Sequence, residues 1–507
     1  MLLPTVRVRA FGGSDYPVGS AAKLFGFDGP FDYETLTTLP PAERYPLAVA
    51  IPKSLVVLAL RIPLRSDARW PDLATLDRLY ARLGRPAITA RCAAPGVRPG
   101  SPAPGVPPPS AGSADLSDEA FLRLRRDGPH AHWVRRADDG WIVDYREILA
   151  GIPVRPGQRL EPCALRWGPG GPAIWIAGVW IAPADPVWRE ARRLFHLAEL
   201  HVHEVVSHLS WTHLHAETVA LTTVEHLPPG HPIRELLAPF FACTLQANRN
   251  SGGVLLGRGG VFDRVFSCGW LGAAELLRRA EQSWTYARMV PWRDAAQRQI
   301  ATLQDYPWFE DSCLLWDAVE AHVRRRIPEA DDAARAWAAA LFARYGDRGW
   351  PAVADHATLV EIVTACAFLT VRHTLVNAQQ YSMFGYPPLW QATMPAAAET
   401  PVLPFSLREK VAPYSASDEG SPGVSDDLPP LAPASALAQL PTIGETLDTL
   451  RATFAFSIQF NSLQATDDAA FAADLEAIAA VIALRDQGRE HPYGVGHPGK
   501  VSGSICA

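Results

Sequence analysis

The sequence lacks an excess of basic residues, closely spaced cysteines and long apolar runs. Lys and Arg number 47 against 53 Asp and Glu, a formal charge of −6, so nucleic-acid binding has no electrostatic support. The seven cysteines are scattered with no CxxC pair, which excludes a disulfide scaffold and fits a reducing compartment. Apolar stretches such as 55–60 and 365–371 are too short to span a bilayer. Residues 1–16 hold no apolar run of signal-peptide length, so we expect a cytoplasmic protein.

The composition is that of an ordinary globular protein, with 48% hydrophobic and 20% charged residues. A length of 507 residues allows about three domains or one large helical domain. Two stretches rich in Pro, Gly and Ser, at 93–113 and 411–435, read as linkers or surface loops. The chain is therefore expected to have a smaller amino-terminal part before the first of these breaks.

Apolar spacing after residue 186 predicts a mainly helical body. Residues 186–226 contain no internal proline and predict one very long helix, which Pro228 and Pro229 end. Further helices are predicted over 231–247, 312–345, 357–381, 437–460 and 467–486. Short β-type runs at 54–60 and 171–183 predict strands before this body.

Histidines cluster on the long predicted helix, where His203, His208 and His213 follow one another at intervals of five. The stretch fails the HExxH zinc-protease motif by one residue, since that motif needs i and i+4 on one face. On a regular α-helix a five-residue step rotates the side chain by about 140°. Either these histidines share no metal, or a π-turn with i→i+5 bonding brings them into line.

A second candidate pair lies on the helix predicted at 357–381. His373 and Asn377 are four residues apart and therefore face the same way on a regular α-helix. An imidazole beside an amide oxygen is an unusual pair for zinc, whereas imidazole-rich sites with oxygen ligands suit non-haem iron.

Several motifs in the same order give the chain a resemblance to the lipoxygenases. The family's H-E-x-x-S-H, T-H-L-x-x-E, L-P-x-x-H-P and T-L-x-x-N stand here at 203–208, 212–217, 227–232 and 244–248. Residues 305–322, DYPWFEDSCLLWDAVEAH, are similar to a further family block, and 373–381 are similar to its H-A-A-V-N-F-G-Q-Y. The last residues, VSGSICA, stand where the family has I-P-N-S-I-S-I. The resemblance covers about 117–507.

The resemblance implies a non-haem iron, one per chain, with manganese as the alternative metal. The implied ligands are His203, His208, His373, Asn377 and the main-chain carboxylate of Ala507. Glu217 and Gln380 are implied as residues that orient these ligands, and His213 as a hydrogen-bonding neighbour outside the ligand set. The family's terminal Ile is Ala507 here, and an arginine of the family is Gly252.

The chemistry that the resemblance implies is the dioxygenation of a polyunsaturated fatty acid. A ferric hydroxide takes a hydrogen atom from a bis-allylic carbon, and O₂ then adds to the radical to give a lipid hydroperoxide. Ser251, Leu255 and Phe262 align with residues that contact the fatty acid in the family. Two alternatives remain: hydroperoxide rearrangement by the same fold, and a degenerate relative that only binds lipid.

The fold class implied is mainly α: one large helical lipoxygenase-type catalytic domain over 117–507. Residues 1–116 form a small, partly extended region without a functional interpretation, and the family's amino-terminal β-sandwich is missing from it. That organisation fits the shorter bacterial members, with a role in lipid and oxylipin metabolism. The partners expected are a polyunsaturated fatty acid and O₂, with transient contact to a membrane surface, and the protein is expected to be a monomer.

Overall fold

The computed structural model describes residues 118–377 and 462–505 with short gaps. The gaps are 127, 129, 156–157, 252–255, 257–259, 261, 264–265, 490–492 and 494; residues 18–20, 34–36, 67–69, 71, 75 and 443–444 are described in addition. The predicted linkers at 93–113 and 411–435, the strand at 54–60 and most of the helix at 437–460 lie outside the described residues.

The described chain is mainly helical, as predicted. The α-helices are α1 (Asp118–Arg126), α2 (Arg146–Leu149), α3 (Trp188–His201), α4 (His215–His226), α5 (Pro232–Leu237), α6 (Thr244–Ser251), α7 (Gly269–Ser283), α8 (Pro291–Arg298), α9 (Pro307–Arg326), α10 (Asp332–Tyr345), α11 (His356–Asn377) and α12 (Ala469–Gly488). A π-helix, Val202–Leu214, joins α3 to α4, and short 3₁₀ turns lie at Ala131–Trp133, Tyr286–Met289 and Gly346–Arg348.

Strands form two small antiparallel sheets. β1 (Val18–Ser20) pairs with β2 (Glu34–Leu36). The second sheet is a meander in sequence order, built from β3 (Arg135–Ala137), β4 (Gly140–Asp144), β5 (Cys163–Trp167), β6 (Ala173–Ile176) and β7 (Val179–Ile181). The strands predicted over 171–183 are β6 and β7, joined by a tight turn. The sheet packs against α3, which leads into the π-helix.

The long helix predicted over 186–226 is present as α3, the π-helix and α4 without a break. Two other helices were predicted as continuous but are interrupted in the structure, and a proline explains each break. The helix predicted over 231–247 ends at Leu237, because Pro239 has no N–H to continue the ladder. The helix predicted over 312–345 is α9 and α10, separated around Pro328.

Helix α11 is the buried centre of the body and packs against α9 and the π-helix. By length and composition its stretch His356–Val376 is apolar enough to cross a membrane, yet 94% of the most apolar window is buried inside the protein. Buried core helices pass the same length test. Its burial brings His373, near its carboxyl end, against the π-helix.

Asp311 on α9 is a buried carboxylate at the interface with α12. It is fully buried, and its closest cations are Arg485 and Arg489, at 3.7 and 3.9 Å from Oδ1. Burial raises the pKa of Asp311 to about 7, and the attraction of Arg489 opposes this only in part. In the folded protein Asp311 therefore keeps its proton up to about pH 7. In the unfolded chain its pKa is 3.8, so it loses that proton at lower pH.

We expect Asp311 to make stability fall as pH rises from about 4 to about 7. The stabilisation that protonated Asp311 gives the folded state is complete below the unfolded pKa and is lost as pH rises through the folded pKa. The free energy of unfolding should fall by up to about 1.4 kcal/mol per pH unit in that range. Asp311→Asn should flatten this slope in urea-unfolding midpoints measured across that range. Asp332→Asn, at a fully exposed site, is the control; an unchanged slope in Asp311→Asn would contradict the assignment.

Candidate metal centre

The helix that carries the histidine cluster is widened over its whole central part. The π-helix runs from Val202 to Leu214, so it includes His203, His208 and His213. Hydrogen bonding from i to i+5 places residues five apart near one another on one side. The widened turn predicted from the spacing is confirmed.

Three imidazoles meet where this π-helix packs on α11. His208 Nε2 lies 3.2 Å from His373 Nε2 and 3.2 Å from His213 Nε2. The ligand atoms of the three residues all lie within 4.8 Å of one another. The side chains are 6%, 0% and 8% exposed for His208, His373 and His213. Converging, buried ring nitrogens at this separation suit a common metal ion, because each deprotonated nitrogen offers it a lone pair.

The far ring nitrogens of two of these histidines are held by oxygen acceptors. His208 Nδ1 lies 3.2 Å from Glu204 Oε2, and His213 Nδ1 lies 2.8 Å from Asn248 Oδ1. With Nδ1–H donating to these oxygens, each ring turns the lone pair of Nε2 towards the centre. Asn248 is fixed in turn, since its Nδ2 donates to His213 O and to Glu217 Oε2, both at 2.9 Å.

His203 lies next to this group, with its ring centroid 6.2 Å from that of His208. It is fully buried, and its ring meets that of His130 edge-on at 4.8 Å. Burial and the neighbouring His203 hold the pKa of His130 well below its usual range. His130 is therefore a neutral ring against which His203 packs. Among the described residues, His203 is not in the group of three whose ligand atoms converge.

A buried ion pair lies next to His130. Arg125 and Glu199 are both fully buried and form a close ion pair, in which Arg125 Nε also donates to Glu199 Oε1 at 3.0 Å. The carboxylate lies 3.9 Å from His130 Nδ1. Burial raises the pKa of Glu199 to about 7, and Arg125 opposes that shift.

The carboxyl-terminal segment runs past His373. Ser502 N donates to Thr374 Oγ1 at 3.0 Å, and Ser502 pairs with Ser462 in an isolated bridge. Val501 and Ile505 are fully buried. Ser502 thus lies beside Thr374, the residue that follows His373, and Ala507 lies outside the described residues.

The comparisons with known proteins bear on this arrangement. A sequence model of the lipoxygenase family matches residues 179–406, which include the π-helix and all of α11. Over residues 179–406 the chain matches the lipoxygenase family. The expectation drawn from the motifs is confirmed at this level.

Curated relatives match about half of this chain. Human polyunsaturated fatty acid lipoxygenase ALOX12 is 28% identical over 263 residues, 48% of this chain and 40% of the relative. Pig polyunsaturated fatty acid lipoxygenase ALOX15 is 31% identical over 230 residues, 42% of this chain and 34% of the relative. The matched region therefore spans less than half of these relatives' own length.

Solved lipoxygenase structures share the fold over nearly the whole chain. The coral 8R-lipoxygenase has a TM-score of 0.65 at 17% identity, and the match covers 94% of this chain and 84% of that one. A lipoxygenase crystallised anaerobically in complex with arachidonate has a TM-score of 0.65 at 16% identity, covering 92% and 82%. At these identities the likeness shows the lipoxygenase fold.

The structure describes only some of the remaining predicted site residues. Glu217 is buried and reaches the centre through Asn248. Phe262 is buried against Phe266, with ring centroids 4.3 Å apart. Asn377 is the last residue of α11 and Ser251 the last residue of α6, but the structure does not describe their side chains. Leu255 and Gln380 lie outside the described residues.

Sequence reasoning did not foresee two contacts in this centre. It placed His213 as a hydrogen-bonding neighbour and did not predict that its Nε2 lies 3.2 Å from His208 Nε2, although the five-residue interval that relates His203 to His208 also relates His208 to His213. It also assigned no role to Asn248, which ends the T-L-x-x-N motif and holds His213. The repeated interval was the available signal for the first; the second depends on the packing of α6.

Proposed function

We propose that this chain is a non-haem iron dioxygenase that inserts O₂ into a polyunsaturated fatty acid and forms a lipid hydroperoxide. The observation that carries the proposal is the convergence of the buried Nε2 atoms of His208, His213 and His373. Oxygen acceptors on the far nitrogens of His208 and His213 support it further. Imidazole is a donor that suits iron.

The ligand set we propose is the one that the family motifs imply. His208 and His373 belong both to that set and to the converging group, and His203 is the third imidazole. The amide of Asn377 and the main-chain carboxylate of Ala507 complete it with oxygen donors. His213 packs against this set while its Nδ1 donates to Asn248.

Iron bound there supplies the one-electron oxidation that removes hydrogen from a bis-allylic carbon. The chain's own residues prepare the site for it. Glu204 fixes the ring of His208 by accepting from Nδ1, and Asn248 fixes His213 in the same way. Burial of His203, His208 and His373 limits the access of bulk water. The site thereby favours a neutral imidazole with Nε2 directed inward.

Metal analysis followed by a spectroscopic assay tests the proposal. We expect purified protein to contain close to one iron per chain and to produce conjugated diene absorbance when linoleic or arachidonic acid is added with O₂. Consumption of a fatty acid hydroperoxide without diene formation would favour the rearrangement alternative instead. Iron-free protein that binds fatty acid without turnover would favour the lipid-binding alternative. Manganese as the bound metal would replace iron in the proposal.

The carboxylate ligand is tested by lengthening the chain. The proposal requires the main chain to end at Ala507, two residues beyond the buried Ile505. A peptide appended after Ala507 moves the carboxylate away from the centre, so we expect low iron content and at least about tenfold slower turnover. The same peptide on the amino-terminal side is the control. Equal iron and equal activity in the two proteins would remove Ala507 from the ligand set.

The other predictions from the sequence stay predictions. They include a domain boundary near residue 117, a cytoplasmic location, a monomeric state and contact with membrane surfaces. Fatty-acid contacts by Ser251, Leu255 and Phe262 and an orienting role for Gln380 belong with them.

A further inference from the structure

A cavity near the π-helix is not used by the proposed reaction. Its volume is about 750 Å³, it opens to solvent, and its lining residues come from the first 3₁₀ turn, β3, β4, α2, α7, the second 3₁₀ turn and the end of α8. Its wall is strongly basic, with two carboxylates, Asp144 and Glu147, among the lining residues. The arginines in the wall are Arg135, Arg146, Arg279, Arg288 and Arg298.

Four of these arginines are already engaged. Arg135 and Arg146 share Asp144, at 3.0 and 2.6 Å. Arg279 binds Glu275 and donates to three main-chain carbonyls at the end of α2. Arg298 binds Asp294 at 2.6 Å and donates to Val134 O at 2.6 Å. Arg135 and Arg146 share one carboxylate and so leave one positive charge in excess, and the fifth arginine, Arg288, adds another.

Arg288 Nε is buried and has no hydrogen-bond partner among the described residues. The guanidinium carbon lies 4.1 Å from the ring centroid of Trp211 and 5.7 Å from that of Trp133. Burial lowers the pKa of Arg288 to about 10, and Arg372 and Arg298 add to the effect against the attraction of Asp294. A half-buried cation with other cations nearby gains more from an added anion than a fully solvated one, because the local dielectric constant is lower.

His132 provides a second unsatisfied group in the same wall. Its side chain is fully buried, and within the described chain neither ring nitrogen has a hydrogen-bond partner. Its ring centroid lies 6.3 Å from that of Trp211, the residue under Arg288. Buried polar atoms without partners are uncommon in folded proteins and call for an explanation such as a ligand.

The aromatic part of the wall adds an apolar surface. Trp133 stacks on Trp211 with ring centroids 5.0 Å apart, and Ile148 lines the same cavity. The volume is in the range of small-molecule sites, which combine apolar walls with a few polar groups that fix the ligand. This combination fits an organic anion better than an inorganic ion.

We propose that this cavity is a binding site for a small organic monocarboxylate, whose carboxylate pairs with Arg288 and accepts from His132 while its apolar body rests on Trp133. A planar guanidinium and a carboxylate match in a two-point contact. The site is separate from the converging histidines but adjoins the same helix, because Trp133 Nε1 donates to Ser207 Oγ at 2.8 Å and Ser207 precedes His208.

Calorimetric titration with benzoate at constant ionic strength tests the proposal. We expect benzoate to bind the full-length protein, and Arg288→Gln to weaken binding by at least about tenfold, the loss of one charge-assisted contact. Arg288→Lys should be intermediate, since it keeps the charge but not the fork. Arg335→Gln, whose arginine is exposed on α10 and pairs with Asp332, should bind like the unaltered protein.

A second measurement needs no variant and keeps the test decisive if Arg288→Gln does not fold. Benzoate should protect Arg288 from phenylglyoxal, as read by mass spectrometry of the peptide that contains it. Equal labelling with and without benzoate, or unchanged affinity in Arg288→Gln, overturns the site. Inorganic phosphate that binds as tightly as benzoate overturns the assignment to an organic ligand.

Discussion

Replacing His208 with Ala is expected to leave iron at background level and to abolish dioxygenase activity. His208 belongs to the ligand set implied by the motifs, and its Nε2 lies 3.2 Å from both His373 Nε2 and His213 Nε2. Its loss removes a strong ligand at the middle of the cluster. Residues that only orient ligands typically cost 10- to 100-fold in affinity when they are changed, so loss of a ligand should exceed that range.

The third imidazole is decided by comparing His203→Ala with His213→Ala. We expect His203→Ala to lose iron as His208→Ala does. His213→Ala should retain most iron, with an affinity reduced within the range for residues that orient ligands. The opposite order would assign the ligand role to the converging group of His208, His213 and His373.

Iron per chain and the initial rate of diene formation are the two measurements for this series. His226→Ala, at a partly exposed position on α4, is a control that keeps the helix and removes an imidazole away from the centre. Full iron and full turnover in His208→Ala would exclude the proposed centre altogether.

The second large effect is expected at the buried ion pair of Arg125 and Glu199. Arg125→Met should lower the free energy of unfolding by about 3–5 kcal/mol, because it leaves a buried carboxylate without its cation. The arginine also donates to Phe121 O at 2.6 Å and lies over the Phe121 ring at 3.9 Å. Urea unfolding at neutral pH measures the change.

A double variant separates the charge effect from lost packing. Arg125→Met combined with Glu199→Leu replaces both charges with apolar groups, so much of the lost stability should return. Arg324→Met is the control, since Arg324 and Glu320 form an exposed pair on α9 and such pairs contribute about 0–1 kcal/mol. A change in Arg125→Met no larger than that of the control would contradict the prediction.

The same pair is expected to influence the metal centre through His130 and His203. Glu199 approaches His130 at 3.9 Å, and His130 packs on His203 with ring centroids 4.8 Å apart. Any loss of iron in the folded Arg125→Met protein would therefore report the positioning of His203.

Local sequence signals determined most of the helical body. Absence of proline over 186–226 and prolines at its end predicted the long helix, which is present from Trp188 to His226. The five-residue interval between His203 and His208 predicted the widened turn, because only i→i+5 bonding aligns such residues. The helices predicted over 231–247 and 312–345 are interrupted at Pro239 and Pro328. The prolines indicated these breaks, but the apolar periodicity continued across them and favoured unbroken helices.

The centre itself depends on both levels. The motifs alone selected His203, His208, His373, Asn377 and Ala507 and placed the chain among the lipoxygenases. Spacing along one helix fixes the direction of a side chain, but not what that side chain meets. His208 and His373 are 165 residues apart, and the packing of α11 on the π-helix brings them together.

Tertiary structure alone decided two contacts around the centre, Asn248 with His213 and the Arg125–Glu199 pair next to His130. Each of these contacts joins segments far apart in sequence, so no periodicity or local propensity encodes it. They are set by which buried polar groups find a partner when the helices pack. The cavity at Arg288 is likewise built from segments that only the fold brings together.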